Sequence, residues 1–483
     1  MSDRRATLVR QAARLFGEGP VDAAIAAHHA LLDAYPDDPD SWYNLALLER
    51  RARRPAASLV ALDEALARGI MGAEEVWLQR GVVLSDDLGD ADGARIALGQ
   101  ALALAPAYLP ALLNLGNLEE DGGDRVAAEH QYRAALAAAP GHPLALARLA
   151  GVAAISQSDD PLLDALRRAL GQARGDPLAE ADLGFALGHA LDRIGDYDAA
   201  FDAYVAANRA SRAFAVTQGQ GYDRAAHEQW IDRLIAAFPS PAQSKGEGGD
   251  APIFVCGMVR SGSTLAERML SRHGALVAGG ELDVVPAIAA EIIAYPEAVG
   301  GLDETGRQAL ATRYRSETSR RGMGGRRLID KRPDNILHLG LVRALFPGAR
   351  IVRTVRAPLD NLLSAFFLHA DPTLAWATDL SDIAHYLAQE RRLAAAAQAR
   401  LGPIYDLHYE RLVTDTRGEM AALLAFCGLD WDEAVLDPAA GGGAVRTASV
   451  WQVREPIHRR SSGRWRHYAD RLGEFPALFE DIA

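Results

Sequence analysis

The chain reads as two architectures in series. An all-α superhelix of helical repeats comes first, and an α/β domain built on a parallel sheet with helices on both faces follows. Three observations carry this. An Ala- and Leu-rich helical pattern returns about every 34 residues in the first half. From Ile253 onward, short apolar runs alternate with helical segments. Between the two lies PSPAQSKGEGGDAP, residues 239–252, whose Pro, Gly and Ser content marks a linker.

Bulk properties agree. A chain of 483 residues is too long for one hydrophobic core. The expected boundaries are residues 1–215 for the repeats, 216–251 for a connecting helix and linker, and 252–483 for the α/β domain. Hydrophobic residues make up 49% and charged residues 24%, as in globular proteins. A formal net charge of −13 argues against nucleic-acid binding driven by phosphate neutralisation. Cys256 and Cys427 are the two cysteines, too few for a disulfide framework or a zinc site. The N-terminus MSDRRATLVRQAARLF has no long apolar run, and no segment approaches the ~18 uninterrupted apolar residues of a membrane span. The expectation is a soluble cytoplasmic protein without a membrane span or a metal. Its wealth of Ala and Arg suits a bacterium with a GC-rich genome.

In the first half, Pro106 and Pro140 stand 34 residues apart, and each closes an Ala-rich helix. Between them, LPALLNLGNLEEDGGDRVAAEHQYRAALAAAP puts Leu112, Leu115 and Gly116 on one helix and Ala128, Tyr132 and Ala135 on the next. Small residues permit close helix approach, and the aromatic fills the remaining gap. This unit resembles the tetratricopeptide repeat. Trp42, Leu45 and Ala46 open another unit, Trp77 and Gly81 a further one. Gly184, Leu187, Gly188, Ala200, Tyr204 and Ala207 mark a late one. With a degenerate pair around Ala24 and Pro36, the pattern predicts about five or six units over residues 5–215. Stacked repeats offer a concave surface suited to a peptide or protein partner; alternatively they stabilise or dimerise the domain beside them. A helix is expected over Tyr222–Phe238.

In the second half, IFVCG, RIVRTV (350–355) and PIYDLHYERLV (403–413) supply strand candidates, and ILHLGLVRALF (336–346) a helix. After the first strand, GMVRSGST keeps the glycine spacing of a phosphate-binding loop through Gly257 and Gly262. Thr264 keeps the final hydroxyl, but Ser263 stands where an ATPase has lysine. Backbone N–H groups and the helix N-terminus can still cradle an anion, with Arg260 and Ser261 as further donors. Without the lysine that serves a β/γ-phosphate, ATP hydrolysis is disfavoured.

The run R-S-G-S-T-L resembles the 5′-phosphosulfate loop of sulfotransferases, and most of all the R-S-G-T-T-L of the tyrosylprotein branch. The repeat-plus-transferase layout resembles the bacterial TPR sulfotransferases. The resemblance spans residues 252–470. It implies a P-loop-like three-layer α/β fold and 3′-phosphoadenosine 5′-phosphosulfate (PAPS) as donor, with adenosine 3′,5′-bisphosphate as product. Arg260, Ser261, Gly262, Ser263 and Thr264 would hold the 5′-phosphosulfate. In IVRTVRAPLDNLLSAF, Arg356 and Ser364 match the family's 3′-phosphate pair. Tyr409 matches a tyrosine beside the nucleotide. In RRSSGRWRHYADRL, Arg464 precedes Trp465 as a basic residue does in the last donor segment.

The same resemblance implies the catalytic set. Glu281, in AGGELDVVP, falls on the base of the family's G-E-E-T-R-x-x-P stretch, aligned through Pro286. Lys331, in LIDKRPDN, matches a lysine that stabilises the bridging oxygen, with Asn335 orienting the segment. Ser449, in TASVWQVREP, aligns with a serine that assists the lysine. Asp283 departs from the pattern: the tyrosyl enzymes place an arginine there, facing acidic peptides. The expected activity is sulfuryl transfer to a hydroxyl acceptor: protein tyrosine, a saccharide or a small metabolite. Two rivals remain open at this point, a P-loop kinase or NTPase and a repeat scaffold with a non-catalytic nucleotide-binding domain.

Overall fold

The computed structural model describes residues 2–239, 251–319, 325–438, 451, 454–473 and 475. Its contacts divide the chain into two compact units, residues 1–154 and 155–483.

The first unit is a run of helix–turn–helix pairs. Ser2–Glu18 packs on Val21–Ala34, Pro39–Arg51 on Pro55–Ala67, Ala73–Val82 on Ala91–Leu104, and Leu109–Gly122 on Arg125–Ala138; Pro143–Val152 ends the series. Proline opens several of these helices, where its missing N–H costs no hydrogen bond. Asp90 and Asp124 cap others by accepting the N–H of Gly93 and Ala127, each at 2.9 Å. Ala24, Ala46, Ala94 and Ala128 are fully buried, so helices meet at short range. A Cβ on Gly116 would overlap the Tyr132 ring, which is why this helix needs glycine there.

The second unit contains the last repeat-like pair together with the sheet. Its elements include α1 (Pro177–Arg193), α2 (Tyr197–Thr217) and α3 (Arg224–Ala236). A five-stranded sheet follows: β1 (Ile253–Gly257), β2 (Leu276–Ala278), β3 (Arg327–Lys331), β4 (Arg350–Val355) and β5 (Ile404–His408). Helices α4 (Ser263–Ser271), α5 (Pro358–Phe366) and α6 (Leu380–Leu401) are among the connections. The strand order is β2-β3-β1-β4-β5 and every pairing is parallel.

Strand alternation builds two cores. Ile253 and Val255 face one cluster with Ile329, Val352, Ala266, Met269 and Leu423. Phe254 and Cys256 face the other, with Ile351, Leu234, Tyr314, Val342 and Leu393. Both faces of β1 are therefore buried, as its unbroken apolar run predicts. The α1/α2 pair packs against the chain just beyond α5. The amide of Asn208 donates to the Phe366 carbonyl at 2.8 Å, and the Tyr204 ring stacks on Phe367 at 3.9 Å. Phe185 stacks on His369 at 4.8 Å. No helix among the described residues is long and apolar enough to cross a membrane.

Candidate active site

A cleft of about 560 Å³ opens at the carboxyl ends of the strands. It lies where the chain, having built β2 and β3 on one side of β1, crosses to build β4 on the other; parallel sheets bind ligands at such a switch. Gly257, Arg260, Gly262, Ser263, Thr264, Arg356, Tyr409 and Glu281 all line it.

The loop after β1 is shaped by close approaches. Gly257 has φ +127°, and a Cβ there would lie 2.6 Å from the Thr354 carbonyl oxygen. Gly262 has φ +105°, and a Cβ would meet the Tyr409 ring at 2.9 Å. Arg260 itself adopts φ +64°, an uncommon conformation for a residue with a side chain. Ser263 begins α4, so the helix N-terminus opens onto the cleft. Ser261 serves the loop instead. Its hydroxyl donates to the Met258 carbonyl at 2.5 Å and lies 2.6 Å from the Thr354 hydroxyl, and the residue is 1% exposed. Its side chain is turned away from the cleft, contrary to its expected role as a side-chain donor.

Three guanidiniums converge beside this loop. Arg356 donates to the Arg260 carbonyl at 3.1 Å and to the Ser461 carbonyl at 2.5 Å, and lies over the Tyr409 ring. Its buried Nε has no partner among the described residues. Arg260 Nε donates to the Ser364 hydroxyl at 3.2 Å, so Ser364 joins the cluster through Arg260. Burial, then the charges of Arg356 and Arg464, push the Arg260 guanidinium down to about 10. Burial likewise lowers Arg356. A buried cluster of like charges calls for an anion. Arg464 adds to that field but is not among the residues lining the cleft. Its guanidinium engages Asp192 of α1, which also accepts the Tyr468 hydroxyl. Burial opposes its charge, and Asp192 outweighs burial and holds Arg464 above its usual range. The segment carrying Arg464 is tied down by Asp360, whose carboxylate accepts the Gly463 N–H at 2.6 Å and the Trp465 N–H at 2.9 Å.

Across the cleft, Lys331 Nζ donates to Glu281 Oε1 at 2.6 Å; the lysine side chain is 1% exposed and the glutamate 46%. Asn335 donates to Asp330 at 3.0 Å, and Tyr314 donates to the same carboxylate at 2.7 Å. Burial pushes Asp330 up to about 7. Ser449 lies outside the described residues.

Several residues that the sequence did not single out complete the site. Arg332 is held between Asp283 at 2.5 Å and Asp334 at 2.7 Å. Trp376 and Tyr386 form a stacked wall at 4.1 Å, and His369 and Leu374 extend it. Glu267, on α4, is buried and accepts the Gly280 N–H at 2.8 Å. The basic pair Lys331–Arg332 at the end of β3 is the one local signal that could have flagged Arg332. Among the described residues, no group of three or more His, Cys, Asp or Glu is placed to hold a metal ion.

Comparison with known proteins agrees with this geometry. Residues 252–433 match the sulfotransferase family. An uncharacterized protein of Aquifex aeolicus (strain VF5) is 33% identical over 307 residues, covering 60% of this chain and 40% of that one. Protein-tyrosine sulfotransferase 1 of Danio rerio is 27% identical over 234 residues, covering 44% of this chain and 65% of that one. The chain thus spans less than two thirds of the length of these curated relatives. Among solved structures, the sulfotransferase domain from the curacin biosynthetic pathway matches with a TM-score of 0.35 and 19% identity, over 45% of this chain and 90% of that one. The C-terminal region of this chain is a sulfotransferase-family domain, preceded by tetratricopeptide-like helical repeats and distantly related to the protein-tyrosine sulfotransferases.

Proposed function

We propose that the protein transfers a sulfuryl group from PAPS to a hydroxyl acceptor and releases adenosine 3′,5′-bisphosphate. One observation carries this reading: a single cleft brings together an anion-cradling loop without lysine, Arg260 and Arg356, and Glu281, whose carboxylate accepts from the buried Lys331 behind it. The loop amides and Ser263 and Thr264 receive the 5′-phosphosulfate. Arg356, with Arg260 and Ser364, receives the 3′-phosphate. Tyr409 lies beside the loop, where it borders the nucleotide.

Glu281 takes the proton of the acceptor hydroxyl as its oxygen attacks sulfur. The bond from sulfur to the bridging oxygen breaks, and negative charge grows on the departing 5′-phosphate. Lys331 leaves Glu281 to meet that charge. Ser449 is proposed to assist it. The acceptor stands against Trp376 and Tyr386. Protein tyrosine is one candidate, but an acidic flank is disfavoured. The cation lining that side, Arg332, already carries two carboxylates, and Asp371 adds another.

Calorimetric titration of the full chain with adenosine 3′,5′-bisphosphate, ADP and ATP tests the donor site. Binding of the bisphosphate at least tenfold tighter than ADP supports it. Equal binding of ADP, or magnesium-dependent ATP turnover, would replace it with a kinase or NTPase.

A further inference from the structure

The segment bearing Glu281 is pinned from two sides. Gly279 N–H donates to the Ile329 carbonyl at 2.8 Å, and Lys331 N–H donates to the Gly280 carbonyl at 3.1 Å, so the segment continues the β2–β3 pairing. The remaining Gly280 N–H goes to Glu267 Oε1. Gly280 has φ +69°, so the turn that delivers Glu281 favours glycine. A carboxylate on the helix after the phosphate loop therefore fixes the backbone one residue before the base.

The same carboxylate belongs to a charge group around Lys331. Glu267 is 7% exposed. Burial pushes its carboxyl up and outweighs the Lys331 charge and the Gly280 N–H, which pull it down. The charged groups facing it are Lys331 and Asp330 from β3, Glu281 from the loop and Arg268 from its own helix. Lys331 is itself unusual: of 51 basic residues, only Lys245 and Lys331 are lysines. Arginine is a planar, permanently charged fork, whereas lysine is a mobile point charge. Here the mobile cation stands at the one place where a charge must change partners.

We propose that Glu267 is a positioning residue for sulfuryl transfer. It holds the Gly280–Glu281 segment in place, and it remains as a counter-charge for Lys331 when Glu281 takes the acceptor proton. The inference rests on the reading of Glu281 and Lys331 as the transfer pair. The proton moves from the acceptor oxygen to Glu281, while Glu267 keeps the Gly280 N–H and remains beside Lys331. Removing a neighbouring negative charge favours the ionised form of the carboxylate left behind.

The test uses the full chain and its Glu267→Gln variant, which is isosteric and keeps a carbonyl for the Gly280 N–H; Glu267→Ala removes that bond too. Lysine-selective isotope labelling leaves two side-chain NMR signals, and Lys245→Arg identifies the Lys331 signal. In the parent chain this signal should report two carboxylate titrations. In Glu267→Gln it should report one. Release of adenosine 3′,5′-bisphosphate from PAPS should slow about tenfold in Glu267→Gln and about a hundredfold in Glu267→Ala, with the acid limb of the Glu267→Gln profile moving to lower pH. Bisphosphate affinity should stay within about twofold. An unchanged Lys331 titration and acid limb in Glu267→Gln overturns the proposal, whatever the rate. A parent chain that fails to bind the bisphosphate refutes the donor reading instead, and the lysine titration still decides the role of Glu267.

Discussion

Tyr132 and Tyr204 occupy the same place in two repeat pairs, and their difference shows what the last pair has become. Each ring is fully buried on the neighbouring helix over a glycine, Gly116 or Gly188. The Tyr132 hydroxyl ends within its own pair, donating to Asn117 at 2.8 Å and Glu120 at 2.9 Å. The Tyr204 hydroxyl meets His189 at 2.8 Å, but its ring continues outward onto Phe367. Phe367 follows α5, the helix that carries Ser364. One repeat grammar thus serves two ends: self-contained stacking in the first unit, and support for the segment that follows α5 in the second. Arg464 makes the same point, since its partner Asp192 is a repeat residue.

Truncating the two rings is the strongest way to break this contrast. Tyr204→Ala and Tyr132→Ala should each cost about 3–5 kcal/mol in thermal or denaturant unfolding. Only Tyr204→Ala should also weaken adenosine 3′,5′-bisphosphate binding, by roughly tenfold or more, because Phe367 loses its support. If Tyr132→Ala weakens binding as much, the division is wrong.

Acid–base behaviour sharpens the contrast next, because Asp330 lies in the second unit alone. Its folded-state value, about 7, is above that of an unfolded carboxyl. The folded state therefore holds a proton that the unfolded chain has released between about pH 4 and 7. Stability falls as pH rises through that window, by at most about 1.4 kcal/mol per pH unit from this group. Relative to Asp330→Asn, the parent chain should lose stability between pH 5 and 7 in the unfolding transition of the second unit. Parallel curves for parent and variant would show that Asp330 is ionised throughout.

The glycines beneath the two rings test the same contrast. Gly188→Ala would place a Cβ 2.7 Å from the Tyr204 ring, and Gly116→Ala overlaps Tyr132 in the same way. Each should destabilise by about 1–3 kcal/mol, measured by chemical denaturation. Gly188→Ala alone should also alter bisphosphate binding, by severalfold. Equal, small binding effects from both variants would reduce the last pair to ordinary packing.

Much of this was legible in the chain itself, for physical reasons. β1 and the phosphate loop announce themselves because a doubly buried strand must be apolar and a tight anion loop must be rich in glycine. Pro, Gly and Ala punctuation exposed the repeats. β2 and β3 escaped notice. β2 has three residues, and β3 reads RLIDK, whose Asp330 and Lys331 look like surface charges. They are buried because Tyr314, Asn335 and Glu281 satisfy them from other elements. Glu267 was hidden likewise, on a helix whose charges suggest a solvated face. Arg464 was legible as a cation, but its partner stands 272 residues earlier in the chain. Ser261 misled because a serine in such a loop suggests a ligand donor, while its hydroxyl turns back to the Met258 carbonyl.

That separation along the chain has a consequence for biosynthesis. Asp192 must wait for Arg464 and Tyr468, 272 and 276 residues downstream. At a synthesis rate of roughly 5–20 residues per second, α1 and α2 leave the ribosome about 15–50 s before their last covering segment. The ring that covers Tyr204, Phe367, emerges within that interval, ahead of Arg464 and Tyr468. The α1/α2 hairpin is therefore completed late, and the C-terminal segment supplies its last polar partners.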